Sequence, residues 1–166
     1  MREKVLLFLD TEFTDPLDCQ LISIGIVSED GHEFYAERTD FDMKACSPFV
    51  HAAVLPWLRR EPAIIGNEGE VRAALLTWLD QFPEIEICVD HATDWDLFLD
   101  LCKDPDTLTL RSGIRGRNIR GEIIASDVER YWQRHGRKDH HALHDARANR
   151  FAFLARSAPE RRSPDY

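Results

Sequence analysis

Phe8-Leu9-Asp10-Thr11-Glu12-Phe13 places two acids directly behind an apolar run. Lys4 to Leu9 reads as a buried strand, and side chains on a strand alternate between its faces, so Asp10 and Glu12 point the same way. Two carboxylates then share one small volume. Like charges at close range oppose ionisation, and a hard divalent cation between them removes the conflict. The stretch therefore predicts a sheet whose first strand carries an acidic centre.

Working outward, Gln20 to Ser28 (QLISIGIVS) reads as a second strand, Glu29-Asp30-Gly31 as a turn, and His32 to Glu37 (HEFYAE) as a third strand. Together they predict an antiparallel three-strand start. Gly25 inside the second strand is unfavourable unless backbone or ligand comes close, which marks a close-packing point or a bulge. Prolines 48, 56 and 62 punctuate residues 40–66 and predict short helices joined by turns. Asn67 to Phe82 is a clearer helix, with Asn67 and Glu70 at capping-box spacing and Val71, Ala74, Leu75, Trp78 and Leu79 at helical spacing. Ile85 to Val89 is a further strand, followed by a helix from Asp94 to Lys103, and that succession predicts a parallel addition to the sheet. Trp95 is assigned to the core, where this helix meets the sheet. Residues 104–120 lack periodicity and carry Arg111, Arg115, Arg117 and Arg120, which predicts a mobile basic loop. Ile123 to His135 and Ala142 to Arg156 read as the last two helices, the first helped by Ser126 and Glu129 at capping-box spacing. The fold class is α/β: a mixed sheet, antiparallel over strands 1–3 and parallel afterwards, flanked by helices.

The chain has 166 residues, of which 43% are hydrophobic, enough for one domain with a substantial core. Residues 1–156 are expected to form that domain, and the Ser-, Pro- and charge-rich stretch 157–166 to fray. No apolar run approaches the roughly 18 residues of a membrane span. Met1-Arg2-Glu3-Lys4 lacks a signal-peptide layout, so a cytoplasmic location is expected. Cys19, Cys46, Cys88 and Cys102 are scattered, which argues against both a zinc site and a disulfide framework. The net charge of −9 runs against binding to nucleic acid, whose phosphates attract Lys and Arg. Its distribution does not: residues 111–166 hold 13 Lys and Arg against 7 Asp and Glu, while residues 1–110 hold 8 against 23. An acidic, cation-binding centre beside a basic, phosphate-tracking surface would produce that asymmetry.

Two later acids fall where they can join the first pair. Asp96, in Val89-Asp90-His91-Ala92-Thr93-Asp94-Trp95-Asp96, follows a strand and lies in the first turns of a helix. Asp145, in His140-His141-Ala142-Leu143-His144-Asp145-Ala146, lies early on the last helix, and its apolar neighbours turn it inward. Taken in order, FLDTEF, then a His-containing strand end leading into Trp-Asp, then His-x-Ala-Leu-x-Asp-Ala resembles the three exonuclease motifs of the DEDD superfamily. His140, five residues before Asp145, matches the DEDDh branch. The phrases DTEF, LISIGIV and EDG are similar to the small mycobacterial-type bacterial 3′-5′ exoribonucleases.

The resemblance implies a ribonuclease-H-like fold. It further implies a metal-dependent 3′-5′ exonuclease that shortens single-stranded RNA or 3′ overhangs and releases nucleoside 5′-monophosphates. Asp10, Glu12, Asp96 and Asp145 would hold two Mg²⁺ ions, which Mn²⁺ can replace, and His140 would be the general base. Ions about 3.5–4 Å apart activate a water and stabilise the leaving oxygen, oxygen-only ligands suit magnesium or manganese, and an imidazole titrating near 6.5 takes a proton at neutral pH. Thr11, Phe13 and Thr14 correspond to positions that lie against the terminal nucleotide, and Arg115, Arg117 and Arg120 are candidates for phosphate contact. Ala92 stands where many relatives carry Asn. A homodimer is also implied. A DNA-trimming exonuclease would keep all five catalytic residues, and a non-catalytic nucleic-acid-binding module would have lost at least one acid.

Overall fold

The computed structural model describes residues 4–104 and 106–157. Its centre is a six-stranded sheet built from β1 (Val5–Phe13), β2 (Leu21–Ser28), β3 (Glu33–Arg38), β4 (Ile64–Gly66), β5 (Ile85–Val89) and β6 (Ile114–Asn118) in the order β4-β3-β2-β1-β5-β6. β1, β2 and β3 run antiparallel, whereas β5 joins β1, β6 joins β5 and β4 joins β3 in parallel. Five α-helices accompany the sheet among the described residues: α1 (Pro48–Ala53), α2 (Glu68–Leu79), α3 (Ala92–Cys102), α4 (Ala125–His135) and α5 (Ala142–Ser157). This α/β architecture is consistent with the ribonuclease-H-like fold, and the antiparallel start and the parallel addition both stand where the sequence places them. No helix among the described residues is long and apolar enough to cross a membrane.

The alternation of β1 divides the core between two faces. Leu7 and Leu9 pack with Val71, Leu75 and Leu79 of α2 and with Leu97, Phe98 and Leu101 of α3. Phe8 points to the opposite face, where its ring meets Phe153 of α5 at 5.3 Å. Asp10 and Glu12 share the parity of Phe8 and so open toward α5. Burial of these side chains, each worth about 1.5–3 kcal/mol, fixes the register, since a slip of one residue would turn both acids toward α2 and α3. The α2 cap forms as read: the Asn67 side chain accepts from the Glu70 amide at 3.0 Å, and Glu70 accepts from the Asn67 amide at 2.8 Å.

Gly25 pairs with Asp10 across β1 and β2. A Cβ on it would lie 2.3 Å from the Leu143 backbone nitrogen, closer than any real contact. The bare glycine thus admits the first turn of α5 onto the sheet beside Asp10. It is a close-packing point, and the irregularity in the β1–β2 ladder falls instead between Glu12 and Phe13.

Three readings change. The Arg-rich stretch expected as a mobile loop contains the edge strand β6, which Ile114 anchors against the core, and Trp95 occupies the space over Gly116. β4 has only three residues and no alternation long enough to read. α4 begins after Ile124 without a side-chain cap, so the capping-box spacing of Ser126 and Glu129 inside it forms no cap. Residues 158–166, most of the stretch expected to fray, lie outside the described residues.

Candidate metal centre

Asp10 stands in β1 opposite Gly25, and Glu12 two residues on faces the same side. Asp145 comes from the first turn of α5, seated there by the Gly25–Leu143 contact. Its carboxylate accepts the His141 amide at 3.1 Å. His140 adopts a left-handed backbone with φ of 65°, where the chain turns into α5 just before the His141 amide that bonds Asp145.

The acid that α3 contributes is Asp94. It is 3% exposed, and its Oδ1 accepts both the Thr11 amide at 3.1 Å and the Thr11 hydroxyl at 2.7 Å. Among the described residues two groups bring carboxylate oxygens within 4.8 Å of one another: Asp10, Glu12 and Asp145, and Asp10, Asp90 and Asp94. Asp10 belongs to both. Asp96 does not join either group: it is exposed, about 200° around the helix from Asp94 at about 100° per residue. The third acid of the cluster is therefore Asp94 where the sequence reading put Asp96. A signal for it existed, because Asp94 shares the helical spacing of the buried residues Leu97, Phe98, Leu101 and Cys102.

Burial, reinforced by the charges of Asp94, Asp145, Glu12 and Asp90, holds Asp10 well above the ordinary carboxylate range. Burial and the charges of Asp145 and Asp94 lift Glu12 to about 8. Asp145 is raised to about 7 and Asp94 to about 6, in both cases first by burial, with the amides of His141 and His140 opposing the rise at Asp145 and the Thr11 hydroxyl opposing it at Asp94. Acids in this state bind protons near neutrality unless a cation takes their place. The donor set is carboxylate oxygen throughout, which fits magnesium or manganese and not a soft metal.

The three histidines divide by environment. His140 is exposed, its ring edge-on to Phe49 with centroids 4.9 Å apart. His141 is buried, stacked on Tyr35 at 4.7 Å, and burial lowers it to about 4. His144 bonds Glu61 at 2.9 Å. Phe49, 56% exposed beside His140, was not singled out from sequence, where it reads as one more apolar residue of a short helix.

Most of the expected substrate contacts are engaged inside the fold. Thr11 holds Asp94; Thr14 is fully buried, donating to the Asp18 carbonyl at 2.8 Å and accepting from the Gln20 amide at 3.0 Å; Phe13 packs against the main core. Arg117 is paired with Glu86 and Glu122. Arg115 and Arg120 are exposed and have no ion-pair partner among the described residues.

Fold and site together define a mixed-sheet α/β protein with a buried, multi-carboxylate centre suited to hard divalent cations. No family model matches the chain. It is similar to two proteins from two strains of Mycobacterium tuberculosis, each named a 3′-5′ exoribonuclease and each 33% identical over 97 residues. The match covers 49% of this chain and 58% of each relative, so the chain spans a little over half the length of the relatives it matches.

Proposed function

We propose that the protein is a metal-dependent 3′-5′ exoribonuclease that removes nucleoside 5′-monophosphates from single-stranded RNA or 3′ overhangs. The observation that carries this reading is the convergence of Asp10, Glu12, Asp94 and Asp145 around a shared Asp10, beside an exposed His140. The similarity to proteins named 3′-5′ exoribonucleases supports it.

Asp10, Glu12, Asp94 and Asp145 would hold two divalent ions, with Asp10 common to both. Such ions, when bound, offset the acids' charge, acidify the attacking water and stabilise the leaving 3′ oxygen. The remaining work falls to this chain. Thr11 fixes one oxygen of Asp94 with two hydrogen bonds, and the amide of His141 fixes Asp145, so both acids are oriented before substrate arrives. His140 accepts the proton of the attacking water at a ring nitrogen, from a position that solvent and substrate can reach. Phe49, on the edge of that ring, offers an apolar face to the terminal base and reads no sequence there. Arg115 and Arg120 are the two basic side chains of the former loop left for phosphates.

The test is digestion of end-labelled single-stranded RNA, single-stranded DNA and matched 3′-overhang duplexes in Mg²⁺ and in Mn²⁺. RNA and RNA overhangs should be shortened fastest. Equal or faster loss of DNA would make the protein a DNA-trimming exonuclease, and binding without hydrolysis would reduce it to a nucleic-acid-binding module.

A further inference from the structure

The acid at the end of β5 is not one of the four motif positions, yet it stands inside the cluster. β1 and β5 are parallel with Phe8 level with Cys88, and both side chains pack on the α5 face. Two residues further on come Asp10, still within β1, and Asp90, the first residue past the end of β5. The end of β5 thus leaves Asp90 near Asp10, and its carboxylate lies within 4.8 Å of those of Asp10 and Asp94. One of its oxygens, Oδ1, is held by the Asn149 side-chain amide at 3.0 Å. Asn149 is 7% exposed and sits one helical turn after Asp145 on α5, so one helix face supplies both a cluster acid and the amide that orients Asp90. The described residues supply no donor to the other oxygen of Asp90. A further negative charge against Asp10 and Asp94 is unfavourable by itself. A divalent cation reverses that sign and takes the free oxygen as a ligand.

We propose that Asp90 is a fifth carboxylate ligand of the divalent-metal centre, completing a three-acid site with Asp10 and Asp94, and that Asn149 is its positioning residue. The proposal rests on the metal-dependent reading above. One ion is then held by Asp10, Asp90 and Asp94 and the other by Asp10, Glu12 and Asp145, so each has three carboxylates and neither depends on substrate to complete its acidic ligands.

Mn²⁺ binding to the full chain, followed by calorimetry and by the spin-resonance signal of free Mn²⁺, tests this without reference to activity. Wild type should bind two ions. Asp90→Asn should bind one of them at least 10-fold more weakly and leave the other within about twofold, and Asn149→Ala should weaken that same site by about 10-fold, the low end for a residue that orients a ligand. Asp96→Asn, which alters an exposed acid outside the cluster, should bind both ions as wild type does. If both Asp90→Asn and Asn149→Ala bind two Mn²⁺ ions with wild-type affinity, Asp90 is not a ligand although the metal centre stands. If wild type binds none, both readings fail. Should Asp90→Asn not fold, Asn149→Ala, which keeps the acid, decides the matter.

Discussion

Glu12→Gln should stabilise the metal-free protein at alkaline pH while weakening its response to metal. In the folded chain burial and the charges of Asp145 and Asp94 raise Glu12 to about 8, whereas in an unfolded chain a glutamate titrates near 4.3. Folding therefore takes up protons across this interval. A raised acid contributes stability that is fully present below the unfolded value and is lost as pH rises through the folded one, so the apo protein weakens between about pH 4 and 8. A shift from 4.5 to about 8 corresponds to about 5 kcal/mol if Glu12 bore it alone. Asp145 and Asp94 share the same repulsion, so deleting one charge should return only part of it, about 1–3 kcal/mol at pH 8.5. In a domain of this size 1 kcal/mol moves the midpoint by about 2–4 °C, which predicts a rise of about 2–12 °C. The assay is thermal unfolding of wild type and Glu12→Gln in chelator at pH 5 and pH 8.5. The variants should converge at pH 5 and separate at pH 8.5, and saturating Mg²⁺ should raise wild type more than the variant. A variant equally less stable at both pH values would refute the electrostatic argument, because it would mean that packing of the Glu12 side chain outweighs its charge.

The other predictions concern the remaining residues of the site. Asp94→Asn should lower turnover of RNA by at least 10²-fold while Asp96→Asn stays within about twofold, and the reverse order, read from initial rates, would restore the sequence register on α3. His140→Ala should lower the maximal rate by about 10²–10⁴-fold with Mn²⁺ affinity intact and should remove the acidic limb of the pH-rate profile; the same losses from His141→Ala alone would move the base by one residue. Gly25→Ala drives a methyl group into the Leu143 backbone, and should cost about 3 kcal/mol or more in chemical denaturation, with an unchanged midpoint refuting the contact. Arg115→Ala with Arg120→Ala should flatten the salt dependence of RNA binding, whereas an unchanged slope would make both side chains solvated.

Where the sequence was legible, one local signal sufficed. The β1 alternation, the β2–β3 turn and the Asn67–Glu70 cap each depend on residues within a few positions of one another, and each formed as read. Asp10, Glu12 and Asp145 are legible for the same reason, since strand parity and an apolar helix flank fix their direction. Asp94 was displaced to Asp96 because both follow the same strand and differ only in which side of α3 they occupy, which the stripe from Leu97 to Cys102 decides. β6 escaped notice because an edge strand of alternating Ile, Arg, Gly, Arg and Asn carries little apolar pattern; its partner β5 and the Trp95 ring make it a strand. Thr11 and Thr14, which the resemblance sets against the terminal nucleotide, are held by Asp94 and by the Asp18 and Gln20 backbone, tertiary contacts that no spacing rule reports.

The central claim is hydrolysis from the 3′ end at a divalent-metal centre, and the most direct measurement follows one single-stranded RNA labelled at either terminus. With Mg²⁺, 3′ label should appear at once as mononucleotide while 5′-labelled strands shorten one nucleotide at a time, and chelator should stop both. Release of 3′ label first in longer fragments, loss beginning at the 5′ end, or hydrolysis that continues undiminished in chelator would contradict the account.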